Sequence, residues 1–381
     1  MVDTVGAMAR IVLFGATGYT GRLVARELVR SGAAPVLVGR SAESLTALVE
    51  ELNDVAPGGR AATFEVADIN RPASLRRLLH SPDDVVVSAV GPYARLGSVA
   101  VEAAIDAGCA YVDCAGEPMF LRNVFEQYGP KARRTGARLL PAMGFDFLPG
   151  NLAGALLIDR YRDAGLTGIR IGYFVTGPFG PSSGSVASAA GIMLDPSFTF
   201  SAGSLQSERP GARVREFVAD GTTVSGLSLG GSEIFALPRL DPDLTDIGVY
   251  VGWAGRWSRA AAAASSLAAG ARQVPGVGSA MGAVFRSALG GASAEGPADH
   301  VRALSRSVVV AEGVTTADES LGRVTIEGVN PYDLTASLLT WSARMLSRRA
   351  DKGVGALGPV EAFGLDALVS GCLALGLAEV D

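Results

Sequence analysis

The chain has 381 residues, of which 48% are hydrophobic and 19% are charged, and its formal net charge is −5. This length suggests two or three domains, and the hydrophobic share supplies a sizeable core and excludes a disordered chain. A mildly acidic chain without a basic block is a poor candidate for sequence-independent binding of nucleic acid. We therefore expect an ordered, multidomain protein with no nucleic-acid partner.

Cysteine and histidine are scarce in this chain, with three Cys and two His residues. Their spacings match no zinc-ligand pattern, so we expect no metal site. An odd, sparse set of cysteines without a signal peptide indicates a reduced, cytoplasmic protein. The longest uncharged apolar stretches, 260–271 and 367–378, are too short for a transmembrane segment.

Over residues 1–150, short apolar runs alternate with helical patterns. An apolar run that ends at glycine predicts a strand buried on both faces, as in a parallel sheet. Six strands are predicted, at 10–14, 36–38, 61–66, 85–87, 110–112 and 138–140. Helices are predicted between them, at 19–31, 42–52, 72–79, 98–107 and 121–134. The alternation predicts an α/β domain with a doubly wound parallel sheet of the Rossmann type.

After Pro149 and Gly150 the pattern changes to that of an α+β domain. A helix is predicted at 152–162, and a small-residue helix follows the loop 177–184. A mixed, largely antiparallel sheet is predicted from strands at 168–176, 213–218, 222–227, 247–251, 308–312 and 323–327. The Ala- and Gly-rich segment 259–289 favours helices packed through small residues; the alternative is a surface element that touches lipid or a partner. A helix at 332–349 precedes an apolar tail.

A glycine-rich turn joins the first predicted strand to the first helix. Glycines at such a turn let the backbone approach a pyrophosphate, and the helix N-terminus supplies amide donors. The strand–turn–helix context that this motif needs is present. We predict that the turn binds a dinucleotide, and the alternative is a structural turn without a ligand. The predicted contacts are Gly15, Thr17, Gly18, Tyr19, Thr20 and Gly21.

The end of the second predicted strand indicates which dinucleotide is bound. An NAD site usually has an acidic residue there, whereas this chain has Arg40 followed by Ser41. A guanidinium suits a 2′-phosphate, so we predict NADP(H) bound by both residues. The alternative is that Arg40 caps a helix or points to solvent. Asp68, after the third strand, reaches the adenine edge or caps the helix that begins near Pro72.

Polar and glycine-rich segments follow the fourth, fifth and sixth predicted strands. Ligands bind at the carboxyl ends of parallel strands, so these three segments are expected to surround the nicotinamide. A domain without a shaped pocket would need only short turns at these places. The predicted cofactor contacts are Ala89, Val90, Gly91, Pro92, Tyr93, Cys114, Gly116 and Glu117, and Asp146 follows the sixth strand.

Tyr93 and Asp146 are the candidate catalytic residues. The chain has only two lysines, and neither has a tyrosine four positions before it, which excludes the Tyr–Lys mechanism of short-chain dehydrogenases. The remaining chemistry is hydride transfer with a proton from a side chain or water, and the Tyr93 phenol is our first choice as donor. A packing role for Tyr93 is the equal alternative. Glu117 and Asp146 alternatively bind the carboxamide or cap a helix, and Cys114 is expected to be a small buried residue.

The chain resembles the saccharopine dehydrogenase-like reductases, and among them most the bacterial branch of trans-acting enoyl reductases. The resemblance implies an N-terminal NADP-binding domain, a central substrate domain and a C-terminal segment that returns to the first domain. We place these parts at 1–150, at 151–329, where the dimer contact is also expected, and at 330–381. The matching motifs are Gly15–Gly21, Gly39-Arg40, Gly91–Tyr93, Tyr111–Asp113, Gly116-Glu117, Gly144–Asp146, Pro149, Gly296-Pro297, Asn330–Thr335, Gly358-Pro359 and Ala362–Gly364.

This resemblance implies an NADPH-dependent reductase of an activated C=C bond in a polyketide-like acyl substrate held by a carrier protein. The alternatives are an imine or amino-acid reductase of the saccharopine type and an NADP-binding regulator without catalysis. A homodimer through the Ala-rich segment is a further expectation. The family often has Gly-Gly-Thr in the central domain, where this chain has Ser183–Ser188. Apolar residues favour a hydrophobic substrate, although most are expected in the core: Phe145, Phe147, Tyr173, Phe174, Phe179, Ile192, Met193 and Phe198.

Overall fold

A computed structural model gives the fold of the chain and describes residues 9–54, 56, 62–178, 180–193, 195–252 and 296–380. The predicted helical segment 259–289 and Phe179 lie outside the described residues. The described chain forms two β-sheets with helices packed against them. The expected α/β fold, with a parallel first sheet and a mixed second sheet, is confirmed.

The first sheet is parallel throughout, in the order β15-β6-β5-β4-β1-β2-β3. All residues of β1, β4 and β5 are buried, as expected for strands covered on both faces. The six predicted strands are therefore present, and a seventh joins them. The strands are β1 (Ile11–Phe14), β2 (Val36–Gly39), β3 (Thr63–Val66), β4 (Val85–Ser88), β5 (Ala110–Asp113), β6 (Arg138–Leu140) and β15 (Gly355–Ala356).

Helices connect these strands, and their apolar faces pack on the sheet. In α1, Leu23, Val24, Leu28 and Val29 form the buried face. The predicted helix 121–134 consists of α6 and α7 joined by a π-helical turn at Val124–Tyr128. The helices are α1 (Tyr19–Arg30), α2 (Ala42–Asn53), α3 (Pro72–Arg76), α4 (Tyr93–Leu96), α5 (Ser98–Ala107), α6 (Pro118–Asn123) and α7 (Gly129–Thr135).

The second sheet is mixed, with a path β10-β11-β12-β7-β13-β14-β16 and with β8 and β9 attached through β12. Among the described strands of this sheet, β12 and β7 pair in parallel and the other pairs are antiparallel. The strands are β7 (Gly168–Thr176), β8 (Ser197–Ser201), β9 (Ser204–Glu208), β10 (Val214–Ala219), β11 (Thr222–Ser228), β12 (Asp246–Val251), β13 (Arg306–Val314), β14 (Ser320–Gly328) and β16 (Ala378–Val380).

The helices of this part include two that carry site residues, α9 and α10. Helix α8 is the first helix after β6, and it packs on β7, β13 and β14. A short 3-10 turn at Arg162–Ala164 follows α8. The helices are α8 (Leu148–Tyr161), α9 (Ser183–Ile192), α10 (Glu233–Leu240), α11 (Asp299–Arg302), α12 (Pro331–Ser347), α13 (Pro359–Phe363) and α14 (Leu365–Ala374).

The C-terminal segment contributes to both sheets. Helix α12 contacts α1, β4 and β5. The apolar tail expected after it contains β15, which pairs with β6, and β16, which pairs with β14. The segment thus packs on the first sheet as expected, and it also completes the edge of the second sheet.

The described residues also bear on membranes and metals. None of their helices is long and apolar enough to cross a bilayer. Within the same residues, no three His, Cys, Asp or Glu side chains are grouped so that they could hold a metal ion. Both histidines, His80 and His300, are exposed.

Candidate dinucleotide and hydride-transfer site

The glycine-rich turn forms a close-packed bend between β1 and α1. Gly15 has a φ of +86°, and its amide donates to the Val38 carbonyl at 2.9 Å. A Cβ at Gly15 would lie 2.7 Å from the Val90 side chain, and one at Gly21 would overlap the Gly15 carbonyl. Gly18 is the N-cap of α1 and has no side chain to cap it, so the first-turn amides face outward. The turn therefore offers backbone donors at a helix N-terminus, which suits a phosphate.

Arg40 follows β2 directly and lies next to this turn. A Cβ at Gly39 would lie 3.5 Å from the Thr17 hydroxyl, so the end of β2 and the glycine-rich turn are neighbours. Arg40 is exposed, and no hydrogen bond or ion pair with another described residue engages its guanidinium. Its charge is thus available to an anionic group beside the turn.

Ser41 and Asp68 are engaged in local turns. The Ser41 hydroxyl caps α2 by accepting the Ser44 amide at 3.2 Å. Asp68 accepts the Asn70 amide at 2.9 Å, and its own amide donates to the Ser74 hydroxyl at 3.0 Å. For Asp68 this placement favours the alternative of a capped turn before α3. Contacts of Ser41 and Asp68 with the cofactor remain predictions.

The side chain of Tyr19 points away from the turn and contacts Pro297, Arg302 and Tyr332. Its hydroxyl donates to the Pro297 carbonyl at 2.7 Å and accepts from Arg302 at 3.0 Å. Its ring meets the Tyr332 ring edge-on, with centroids 5.0 Å apart. Tyr19 therefore offers its backbone amide, rather than its phenol, to a ligand in the turn.

The segments after β4 and β5 are held together by the buried carboxylate of Glu117. It accepts the amides of Tyr93 and Ala94, both at 2.7 Å, and the hydroxyl of Ser188 at 2.8 Å. The first two bonds cap α4, and the third holds α9 against the segments that follow β4 and β5. The expected capping role thus applies to α4, which precedes Glu117, and the backbone of Glu117 is the N-cap of α6.

The phenol of Tyr93 points into the protein. It donates to the Ser88 carbonyl at 2.9 Å and lies 3.3 Å from the Cys114 sulfur. Burial raises the pKa of Tyr93 well above 10 and the pKa of Cys114 to about 12. The Tyr93 ring also contacts Phe120, with centroids 5.5 Å apart. This geometry favours the packing alternative for Tyr93 and the interpretation of Cys114 as an unreactive thiol.

Asp146 has a different environment. It follows β6 and lies against the backbone of Gly116, where a Cβ would come within 3.1 Å of its Oδ2. Its Oδ1 is buried without a hydrogen-bond partner among the described residues. Burial raises the pKa of Asp146 from 3.8 to about 7. A carboxyl group with this pKa holds a proton near neutral pH and can release it, which is what a general acid requires.

A second buried carboxyl lies behind Asp146. Glu233 of α10 is fully buried, and its Oε1 is 2.5 Å from the Tyr173 hydroxyl of β7. Burial raises the pKa of Glu233 from 4.5 to about 8, and the neighbouring charge of Asp146 adds to this effect. The Tyr173 hydroxyl also contacts the Phe147 carbonyl at 3.1 Å and the Gly150 amide at 2.9 Å.

Several of these groups were not among the predicted site residues. Ser188 and Glu233 meet Glu117 and Tyr173 across 71 and 60 residues of sequence, which no local motif reveals. The Thr335 hydroxyl accepts the Phe145 amide at 3.0 Å across 190 residues of sequence. One signal was present: Ser232 followed by Glu233 resembles a helix start, and it would have predicted α10.

The residues at the carboxyl ends of the first sheet fit a bound NADP. The Gly15–Gly21 turn and the N-terminus of α1 would hold the pyrophosphate, and Arg40 would hold the 2′-phosphate. The ends of β4, β5 and β6, with Gly91, Gly116 and Asp146, would surround the nicotinamide. The fold and the site together define a dinucleotide-binding α/β protein of the Rossmann class.

Residues 11–140 match the family of the saccharopine dehydrogenase NADP binding domain. This match covers about a third of the chain and confirms the predicted NADP cofactor. The individual contacts, including that of Arg40, stay predictions.

Curated relatives carry the name trans-acting enoyl reductase. One from Mycobacterium tuberculosis is 40% identical over 144 residues, which are 37% of this chain and 34% of the relative. One from Mycobacterium ulcerans is 38% identical over 157 residues, which are 41% of this chain and 37% of the relative. The chain thus spans about a third of the length of these relatives.

Two solved structures share the fold over almost the whole chain. Saccharopine dehydrogenase (L-Glu forming) from Saccharomyces cerevisiae has a TM-score of 0.59 at 14% identity, covering 98% of this chain and 99% of that one. Homospermidine synthase from Legionella pneumophila, in complex with NAD, has a TM-score of 0.58 at 10% identity, covering 98% and 91%. At these identities the likeness establishes the shared fold.

Proposed function

We propose that the chain is an NADPH-dependent reductase that delivers a hydride to the activated C=C bond of an enoyl-type acyl substrate. The observation that carries the proposal is Asp146, which follows β6 and the NADP-binding residues 11–140; its Oδ1 is buried without a partner among the described residues, and its pKa is raised to about 7. The names of the curated relatives support the choice of an enoyl substrate.

The chain's own residues have two tasks in this reaction. The hydride for the β-carbon of the enoyl group would come from NADPH when it is bound. Asp146 supplies the proton that the α-carbon gains, because a carboxyl with a pKa of about 7 holds a proton near neutral pH and no described residue bonds to its Oδ1. The Glu117 bonds to Tyr93, Ala94 and Ser188 fix the walls around these atoms.

The arginines around the second sheet favour an uncharged substrate. A substrate with several carboxylates would need free guanidinium groups, whereas six of the described arginines in this part of the chain pair with its carboxylates. The pairs among the described residues are Arg160–Glu379, Arg162–Asp241, Arg170–Asp246, Arg213–Glu208, Arg215–Glu312 and Arg239–Glu361. This observation supports an acyl substrate over a saccharopine-like amino acid.

Imine reduction is the second candidate because of the same Asp146. Once ionised, its carboxylate would stabilise the positive charge of an iminium substrate. A C=N substrate would require an amine in the reaction mixture, which distinguishes the two reductions.

The relatives' names describe action in trans, which supports a substrate presented by another protein.

The test is NADPH oxidation, followed by absorbance, with a panel of enoyl thioesters free and attached to a carrier protein. We expect oxidation with enoyl thioesters in the absence of amines, and a rate about 100-fold lower in Asp146→Asn, the loss typical for a general acid. The matched control is Asp159→Asn, an exposed aspartate on α8, which should keep the wild-type rate.

Each other outcome points to a different function. Oxidation that depends on an added amine would assign imine reduction. Binding of NADPH without oxidation by any substrate would favour the non-catalytic regulator. A wild-type rate in Asp146→Asn would remove Asp146 from the reaction.

A further inference from the structure

The hydrogen bonds around Tyr173 specify where protons lie in the cluster behind Asp146. A tyrosine hydroxyl has one proton to donate. Three groups contact this hydroxyl: the Gly150 amide donates to it, and the Phe147 carbonyl can only accept. If Tyr173 donates to Phe147, then Glu233 at 2.5 Å must itself be the donor. A neutral, protonated Glu233 is therefore the state that satisfies all three contacts.

The position of this cluster relates it to Asp146. Phe147 and Gly150 begin α8 directly after Asp146, and both bond to the Tyr173 hydroxyl. The rings of Phe145 and Phe147, on either side of Asp146, meet the Tyr173 ring edge-on, with centroids 5.6 and 5.4 Å away. Tyr173 therefore contacts the chain on both sides of Asp146.

The packing around Tyr173 and Glu233 leaves these side chains little space to move. Glu233 is fully buried, and a Cβ at Gly150 would overlap the Tyr173 hydroxyl. Gly231 lies just before α10, and a Cβ there would overlap the Oε2 of Glu233. The titratable groups that act on Glu233 are Tyr173 of β7 and Asp146 before α8, and no ion pair of a described residue includes it.

We propose that Glu233, in its protonated form, is a positioning residue that acts through Tyr173 to hold Asp146 in place for proton transfer. This proposal rests on the proposed role of Asp146. Ionisation of Glu233 would redirect the Tyr173 proton from the Phe147 carbonyl to the Glu233 carboxylate. The first turn of α8 would then lose the bond that fixes it beside Asp146.

The pH dependence of this arrangement has a definite sign. Glu233 has a pKa of about 8 in the folded chain against an ordinary 4.5. The folded state therefore holds one more proton than the unfolded state between these values, and stability falls as the pH rises from about 4.5 to about 8. Glu233→Gln removes this contribution and should flatten the thermal unfolding curve against pH in that window.

The experiment is infrared spectroscopy of the full chain, without cofactor or substrate, followed by titration from pH 5 to pH 9. In the wild type we expect a protonated carboxyl band at pH 7 that is absent in Glu233→Gln. The band of Asp146, assigned as the one lost in Asp146→Asn, should titrate near pH 7 in the wild type.

The variants separate positioning from mere packing. In Tyr173→Phe and Glu233→Leu we expect the Asp146 midpoint to fall by about 1 pH unit, since a loosened loop admits water and relieves its desolvation. Glu233→Gln should restore the wild-type midpoint, because its amide donates to Tyr173 as the protonated carboxyl does. This variant keeps the proposal testable even if the other two fold poorly.

Two results would overturn the proposal. One is a Glu233→Gln spectrum at pH 7 identical to that of the wild type. The other is an Asp146 midpoint that is equal in all the variants. Neither readout involves NADPH, so this test can succeed or fail independently of the reductase assay.

Discussion

Two aspartates with buried carboxyl oxygens, Asp113 and Asp146, differ in what surrounds them. Asp113, at the end of β5, accepts the Ala115 and Ala142 amides at 2.9 and 2.8 Å and the Tyr111 hydroxyl at 2.5 Å. Burial still raises its pKa, to about 6. No described residue donates to the Oδ1 of Asp146, and the pKa of Asp146 is about 7. Asp113 therefore organises backbone, while Asp146 is free to exchange a proton.

The Tyr93 phenol can be tested against its first-choice role as proton donor. Because it donates to the Ser88 carbonyl, we expect Tyr93→Phe to keep the rate of NADPH oxidation within about threefold of wild type, which is under 1 kcal/mol in barrier. The loss of a buried hydrogen bond should lower the free energy of unfolding by about 1 kcal/mol. A rate loss of about 100-fold in a folded Tyr93→Phe variant would instead restore the phenol as the acid.

At the scale of elements, the short helix α4 depends on a carboxylate from another strand end. It begins at Tyr93 directly after Pro92, and its first amides have no partner within the helix. Glu117 supplies the missing acceptors and also reaches Ser188 on α9. One side chain thus links the segment after β4, the segment after β5 and the second part of the chain.

Substitution of Glu117, the residue that forms this link, should lower the stability of the fold rather than change which cofactor is bound. Glu117→Gln keeps one amide oxygen as acceptor but loses the charge, so we expect the free energy of unfolding to fall by about 1.5–3 kcal/mol. Urea unfolding measures this loss. Glu50→Gln, at an exposed position on α2, is the control and should stay within about 0.5 kcal/mol. An unchanged unfolding midpoint in Glu117→Gln would contradict the capping role.

The sequence predicts the parallel sheet better than the second sheet for a physical reason. Strands such as β1 and β4 are buried on both faces and are therefore continuous apolar runs. Strand β9 is largely exposed and polar, α10 contains Pro238, and β15 has two residues, so none of them carries a strong pattern. These elements form because of tertiary contacts that a sequence pattern does not record.

The same distinction applies to the site. The Gly15–Gly21 turn is predictable because its strand, turn and helix are adjacent in sequence. Asp146 was predicted from its place after β6, but its unpartnered oxygen follows from the packing around it. Glu233 and Ser188 reach the site from distant segments and were missed. Sequence thus predicts which cofactor is bound better than it predicts where the protons lie.

At the scale of the whole molecule, the cofactor turn is tied to distant parts of the chain. Tyr19, in the turn, bonds to the Pro297 carbonyl and to Arg302, and Arg302 also bonds to Asp333 of α12 at 2.9 Å. Through β15 and β16 the C-terminal segment pairs with both sheets. The glycine-rich turn and the two sheets are therefore parts of one connected structure.

The central claim is that the carboxyl ends of the first sheet hold NADPH, with Arg40 on its 2′-phosphate. The most direct test is a fluorescence titration of the full chain with NADPH and NADH. We expect the wild type to bind NADPH more tightly, and Arg40→Ala to weaken NADPH at least tenfold while leaving NADH unchanged, as for the loss of a hydrogen bond between charged groups. Arg30→Ala, at the exposed end of α1, should bind both as the wild type does. Tighter binding of NADH by the wild type, or an unchanged preference in Arg40→Ala, would contradict the account.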